Sequence, residues 1–275
     1  MRKFLAILFF IIGFSQSACA KEKEVFSFEE CQKLERHSAR HISCLSVLAN
    51  QGNVDAQVEL AGCFYEKRDA EKTVYWFQKA AEAGNAYAEN MMGSIYERGT
   101  GNIKDYDKAF EYYTKAAEKG MPFAQANVGR FYYYGIGHVK QDYSSAIKWY
   151  TLAAAQKNPF AAKELGNMYF NGIGVTKNSL KAIDLFEISA NYGDWEIQTL
   201  LGEIYFDGLE NISKDYSKAF YWFQKSAEKG DDQAQRKLSE LYLYGMGTEK
   251  NEKLSQYWLS RSIEDEVRPE REESY

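Results

Sequence analysis

An all-α fold of stacked helix pairs is what this sequence predicts, on three observations. A unit resembling Leu165 to Gly193 recurs about six times at a spacing of 32 to 37 residues, and such a period is the signature of a repeat architecture. Within a unit, apolar residues recur at helical spacing, as in Ala88, Met92 and Tyr96, which places them on one buried face. No segment alternates with period two for long enough to argue a strand.

The chain begins differently from its body. Arg2 and Lys3 precede an apolar run from Phe4 to Phe14, and Ala18 and Ala20 flank Cys19. This is the layout of an export signal over residues 1–20, with the mature chain starting at Lys21, and the run is too short for a comfortable membrane span. A lipid anchor on Cys19 is the alternative; cleavage after Ala20 is favoured because Gln16 stands where a lipid-attachment signal has leucine. Loss of Arg2 and Lys3 takes the formal charge from −5 to −7. An acidic chain with no basic stripe is a poor nucleic-acid binder.

Residues 21–55 read as a capping hairpin. Ser27 and Glu30 fit a capping box at the start of a helix that contains Cys31, a turn follows near His37, and a second helix runs through Cys44. Cys31 and Cys44 lie equally far from that turn, and Cys44 and Cys63 are almost as well placed about Gly52-Asn53, so spacing alone does not choose the pair. A Cys31–Cys44 bridge is favoured, because Cys63 falls at the buried position held elsewhere by Ile95, Phe131, Met168, Ile204 and Leu241. Such a bridge would stabilise the end hairpin by about 2–4 kcal/mol.

Residues 56–263 carry the repeats. Ala61, Gly93, Gly129, Gly166, Gly202 and Ser239 are equivalent, each three residues before an aromatic. A glycine inside a helix costs about 1 kcal/mol, so close approach of a neighbouring helix is the expected return. Gly99 and its equivalents can turn left-handed and stop the first helix. Asp69, Asp105, Asp142, Asn178, Asp215 and Asn251 are placed to accept the free N–H groups that open the second. Lys115 and Lys119 suit the negative end of that helix. Trp76, Tyr112, Trp149 and Trp222, with Leu185 in the fourth copy, share one position and read as core, so the 16% aromatic content is mostly architecture. The first copy has the tightest turn, Lys157 replaces a closing glycine, and Ser239 predicts looser packing in the last copy. Residues 264–275, EDEVRPEREESY, read as a solvated tail.

The segments AENMMGSIYERGTGNIKDYDKAFEYYTKAAEKG and AAKELGNMYFNGIGVTKN carry the pattern A-x-x-x-L-G-x-x-Y-x-x-G-x-G, a D-Y-x-K-A helix start and a K-A-A-E-x-G end. In these the chain resembles the Sel-1-like repeat family, close kin of tetratricopeptide repeats. The resemblance implies an α/α superhelical solenoid of about six repeats; what members bind varies, and function does not follow from fold.

Sites of chemistry are scarce. His37 and His41 are four apart, but no acidic ligand set or HExxH pattern accompanies them, so no metal or cofactor is expected. Cysteine-rich relatives are associated with β-lactamase or penicillin-binding activity, and S-x-x-K occurs at Ser145–Lys148 and Ser226–Lys229. The supporting S-D-N and K-T-G elements are missing, the two copies fall at different places in the repeat, and the recurring cysteine pairs of those relatives are absent here. No enzyme is expected.

Binding remains. By analogy with tetratricopeptide repeats the first helices line the concave face, where Asn127, Arg130, Tyr133, Lys163, Asn167, Phe170, Glu203 and Phe206 lie off the core stripe. Tyr133, Phe170 and Phe206 are equivalent in three successive repeats, an aromatic ladder with polar groups between, as a protein or peptide surface has. Alternatively these rings seal contacts between repeats. The expected function is an exported scaffold that holds a partner protein or peptide; a narrower version resembles relatives that act as periplasmic immunity proteins against secreted toxins.

Overall fold

The computed structural model describes residues 27–267; the segment 1–20 read from sequence as an export signal, the six residues after it and the last eight residues of the chain lie outside the described residues. Within them the chain is helical, with one isolated β-bridge between Leu209 and Ile212. Two helices open the fold, α1 (Phe28–Gln32) and α2 (Ala39–Asn50). Six pairs follow: α3 (Val54–Glu66) with α4 (Ala70–Glu82), α5 (Ala86–Arg98) with α6 (Tyr106–Glu118), and α7 (Pro122–Tyr134) with α8 (Tyr143–Ala155). Then come α9 (Pro159–Asn171) with α10 (Ser179–Asn191), α11 (Trp195–Asp207) with α12 (Tyr216–Ala227), and α13 (Asp232–Tyr244) with α14 (Glu252–Val267). Each helix packs on the next in sequence, so the core is a continuous layer along an all-α solenoid.

Local chemistry sets the ends. Asn53, Asp69, Asn85, Asp105, Asp142, Asn158, Asn178, Asp194, Asp215 and Asp231 each accept a backbone N–H of the helix that follows. Met121 has no side-chain cap, and Pro122, which brings no N–H to satisfy, opens α7 instead. Lys157 closes the third repeat in a left-handed conformation, φ 60°, where five equivalent turns have glycine.

The glycines of the first helices face the second helix of their own repeat. A Cβ added at Gly93 would sit 2.5 Å from the Tyr113 ring, at Gly129 2.7 Å from Tyr150, at Gly166 2.6 Å from Phe186 and at Gly202 2.6 Å from Phe223. The aromatic ring thus fills the space the glycine leaves, and any larger residue would overpack it. In the last repeat Ser239 takes the glycine position and its hydroxyl donates to the Ser255 carbonyl, 2.8 Å; no further repeat follows in the described chain, and Tyr257, Leu259 and Ile263 on α14 are exposed. That helix continues to Val267, into the segment read from sequence as tail.

Successive pairs are also clamped by polar groups. Lys119, Gln156 and Lys229, at second-helix ends, donate to the carbonyls of Gly84, Gly120 and Gly193 in the preceding turn, at 2.8, 3.0 and 2.5 Å. Gln57, Gln125, Gln198 and Gln235, in the first turn of a first helix, donate to the carbonyl eight residues back. These bonds satisfy C-terminal carbonyls that the helix itself leaves open.

At the N-terminal end, Ser27 and Glu30 form the reciprocal capping box of α1. Cys31 and Cys44 are joined, with Cα atoms 5.6 Å apart, and Cys63 is a buried free thiol. The bridge fastens α1 to α2, which in turn covers α3.

Candidate functional site

The first helices of the six repeats bury one stripe and leave another open. In each helix the second, sixth, ninth and thirteenth residues fall within about 60° of one another at 100° per residue, away from the glycine side. On α5 these are Tyr87, Met91, Ser94 and Arg98; on α7 Phe123, Asn127, Arg130 and Tyr134; on α9 Phe160, Glu164, Asn167 and Asn171. The middle two residues of each set are half-buried and the outer two exposed, so the face has a floor and two rims.

Adjacent floors are tied to each other. The Arg130 guanidinium donates to both carboxylate oxygens of Glu97, 2.7 and 2.8 Å away, and the same carboxylate accepts the Tyr113 hydroxyl at 2.9 Å. Burial, and then the neighbouring Glu97 charge, hold the Tyr113 phenol well above its ordinary pKa. The Asn127 amide reaches Asn90, Lys163 bridges Asp194 and Glu196 at 3.1 and 2.7 Å, and Gln233 donates to Glu203. The Lys237 ammonium lies 4.3 Å from the centre of the Phe206 ring. Apart from the Tyr113–Glu97 bond, which lies within one repeat, these contacts join the first-helix segment of one repeat to that of the next.

The structure therefore brings Asn127, Arg130, Asn167 and Glu203 onto one continuous floor, with Lys163 beside it. The rings of Tyr133, Phe170 and Phe206 stand at its margin, half-buried, and turn toward the second helix of their own repeat. Tyr133 meets Tyr143 at 5.4 Å, Phe170 meets Phe186 at 5.9 Å, and Phe206 meets Tyr216 at 5.5 Å and Phe223 at 6.3 Å. Much of each ring face is thus spent inside its own repeat.

Sequence reasoning missed the exposed aromatics of the same face. Tyr87, Phe123 and Phe160 occupy the second position of α5, α7 and α9 and are 48, 59 and 40% exposed; Trp195, 47% exposed, is the first residue of α11, off that stripe but lining a groove with Phe160. A signal existed: an aromatic follows two or three residues after the turn in GNAY, NPF and GDW, off the buried stripe. Two grooves open along this rim. One, of about 470 Å³, runs between α5 and α7 past Tyr87, Met91, Ser94, Phe123 and Arg130; the other, also about 470 Å³, lies between Phe160, Lys163, Tyr192 and Trp195.

Charge on the face is uneven. Glu164, on the floor of α9, has no ion-pair or hydrogen-bond partner among the described residues, and burial raises its carboxyl above the usual range. Glu203 is raised for the same reason, with the Asp207 charge adding to it. Arg98 and Asp207 stand on the opposite rim, and on α11 Glu196, Glu203 and Asp207 all fall on this face.

Elsewhere the reactive side chains are committed. The Ser145 hydroxyl donates to the capping carboxylate of Asp142 at 2.6 Å, and the buried Ser226 hydroxyl to the Trp195 carbonyl at 3.0 Å. His41 is buried with Nδ1 accepting the His37 N–H at 3.3 Å and lying 3.9 Å from the Cys63 sulfur, while Nε2 faces Glu59 at 3.2 Å. His37 lies outside α2 and pairs with Glu66, so the two imidazoles do not converge. No group of three metal-ligating residues occurs among the described residues.

A solenoid of helix pairs with glycines under aromatic rings and one open face along its first helices defines a repeat scaffold. The Sel1 repeat model matches residues 54–85, 86–121, 122–158, 159–194, 196–231 and 232–266, and the chain belongs to the Sel1 repeat family. Among solved structures it is similar to c5321, described as a protective antigen of uropathogenic Escherichia coli with an SLR fold: 33% identity, TM-score 0.74, covering 81% of this chain and 48% of that one. It is also similar to a Sel1 repeat protein from Oxalobacter formigenes: 29% identity, TM-score 0.67, covering 76% of this chain and 85% of that one. The chain thus spans about half the length of the first of these. No curated protein sequence matches it.

Proposed function

We propose that this chain is an exported, non-enzymatic scaffold that holds a partner protein or peptide against the face of its first helices, the concave side of the superhelix. One observation carries the proposal: over three successive repeats that face joins exposed aromatic anchors to a half-buried polar floor, the composition of a recognition surface. Asn127, Arg130, Asn167 and Glu203 form the floor, Lys163 flanks it, and the edges of Tyr133, Phe170 and Phe206 bound it. The pairing of Arg130 and Lys163 across repeats holds their side chains in place before a partner arrives, which lowers the ordering cost of binding. Export fits the Cys31–Cys44 bridge, since disulfides persist in oxidising compartments, and no helix among the described residues is long and apolar enough to cross a membrane.

Asn167→Arg places a long cation on the floor without touching the core. The partner that wild-type protein enriches from envelope extracts should be lost by this variant while its helical circular dichroism and melting temperature stay unchanged. Retention of the whole enriched set would sink the proposal. A β-lactam reporter tests the enzyme alternative: turnover above background that disappears in Ser145→Ala would replace the scaffold reading.

A further inference from the structure

Tyr113 and Tyr150 are equivalent rings, each buried over the close-approach glycine of its own repeat, but their hydroxyls end differently. The Tyr113 hydroxyl donates to Glu97, and Arg130 of the next first helix closes on both oxygens of that carboxylate at 2.7 and 2.8 Å. One repeat further on, Tyr133 stands where Glu97 did and Asn167 where Arg130 did. The Tyr150 side chain, 0% exposed, is left with a hydroxyl that has no hydrogen-bond partner, a costly and uncommon condition for a buried polar group. The carboxylate of this copy is Glu164, half-buried on α9. Burial, then the Glu164 charge, hold the Tyr150 phenol well above its ordinary pKa, with Tyr134 and Tyr133 adding to the effect and Arg130 opposing it.

Both neighbouring cations are committed elsewhere. Arg130 is spent on Glu97, and Lys163, next to Glu164 in the chain, holds Asp194 at 3.1 Å and Glu196 at 2.7 Å. The Lys163 charge favours an ionised Glu164, but burial outweighs it. The carboxylates on the matching stripe of α3 are placed differently: Glu59 pairs with His41, Glu66 pairs with Arg36 and His37, and Asp55 is exposed. Glu164 and Tyr150 are thus a carboxylate and a phenol arranged as in the preceding repeat, without its guanidinium. Exposed rings stand beside them: Tyr134 on α7, and Phe160, one turn before Glu164 and 6.3 Å from the Tyr150 ring.

We infer that the boundary between α7 and α9 takes an arginine side chain of the partner protein, whose guanidinium pairs with Glu164 and lets that carboxylate accept the Tyr150 hydroxyl. The inference rests on the scaffold reading above and specifies its central contact. A planar guanidinium spans both oxygens of a carboxylate, as Arg130 does on Glu97, and packs against aromatic faces such as those of Tyr134 and Phe160. Once its charge is paired, Glu164 no longer has to keep its oxygens in water and settles over the phenol, which is closed off from solvent beneath it. The partner supplies from outside what Arg130 supplies within the chain one repeat earlier.

The test titrates the isotope-labelled full chain, at constant salt, with Nα-acetyl-arginine methylamide and separately with its neutral isostere Nα-acetyl-citrulline methylamide. The expected result is saturable binding of the arginine compound at about 10 mM or tighter, read by NMR at the backbone amides of Glu164 and Asn167, and citrulline binding about tenfold weaker. Glu164→Gln should abolish the difference between the two compounds, and Tyr150→Phe should weaken the arginine compound about threefold or more. Asn167→Arg puts a guanidinium one turn from Glu164 on the same helix and should block the arginine compound from within the chain. The hydroxyls have a readout of their own. Tyr113→Phe loses a bond to a charged group and should lower the melting temperature by about 2–4 °C, whereas Tyr150→Phe should leave it unchanged or raise it. The inference is overturned if the arginine compound does not saturate, if the citrulline compound binds as tightly, if Glu164→Gln or Tyr150→Phe binds arginine like wild type, or if Tyr150→Phe melts as early as Tyr113→Phe. Should Glu164→Gln keep the captured partner that Asn167→Arg loses, the arginine contact is wrong and the scaffold reading stands; should Asn167→Arg keep it as well, the scaffold reading itself fails.

Discussion

The repeats carry two aromatic arrangements, one on the second helices and one on the first, that differ in what surrounds them. Along the seam, Tyr113, Tyr150, Phe186 and Phe223 are buried over Gly93, Gly129, Gly166 and Gly202, each ring held where a Cβ would collide with it. Along the rim, Tyr87, Phe123, Phe160 and Trp195 are 40–59% exposed, and a ring there removes little area from water unless something covers it. The two stripes are linked at two places: Phe77 lies 6.2 Å from Tyr87 and Tyr150 lies 6.3 Å from Phe160, so a buried second-helix ring supports a rim ring of the next repeat there. The difference teaches that a ring facing a glycine belongs to the scaffold, whereas a ring at the first turn of a first helix is left open to solvent.

Substitutions that separate stability from binding sharpen that contrast. Phe186→Ala in the seam should cost about 4 kcal/mol in denaturant unfolding, by the lost burial and the cavity left behind, with no change in binding per folded molecule. Cys31→Ser with Cys44→Ser opens a bridge across 13 residues and should cost about 3 kcal/mol. That loss should be read at the N-terminal repeats first, by hydrogen exchange in α2 and α3, because each repeat contacts mainly its neighbours. Lys157→Gly relieves a left-handed lysine and should stabilise by about 0.5–1 kcal/mol, against a somewhat greater entropy of the unfolded chain. Tyr87→Ser on the rim should change stability by less than about 1 kcal/mol. Were it to destabilise as much as Phe186→Ala, the rim would be part of the core and the contrast would collapse.

Much of the scaffold was legible because its causes are local and repeat. Capping residues such as Asp105 and Asp142, the stop at Gly99 and the close-approach glycine at Gly166 each act within a few residues of themselves, and six copies put them in register. The site was less legible because it depends on what lies across the repeat boundary. Tyr133, Phe170 and Phe206 share a spacing that suggests a ladder, yet whether a ring at that angle meets solvent or its own second helix is set by how the pair closes, which no single helix records. Arg130 and Lys163 have the charge of ligand-binding groups, and their partners Glu97, Asp194 and Glu196 lie 31–33 residues away along the chain but one helix away in space. The rim rings were overlooked because a tyrosine or phenylalanine in the first turn of a helix, next to an alanine that is buried, resembles the rest of an aromatic-rich core until its exposure is seen.

Partner retention by Phe123→Ala with Phe160→Ala, measured beside its melting temperature, tests the central claim most directly. The account predicts that the captured partner is lost while the melting temperature stays within about 3 °C of wild type, the shift expected for less than 1 kcal/mol in a chain of this size. Undiminished retention by that variant, with the fold intact, would contradict the claim that the open stripe of the first helices is where this scaffold binds.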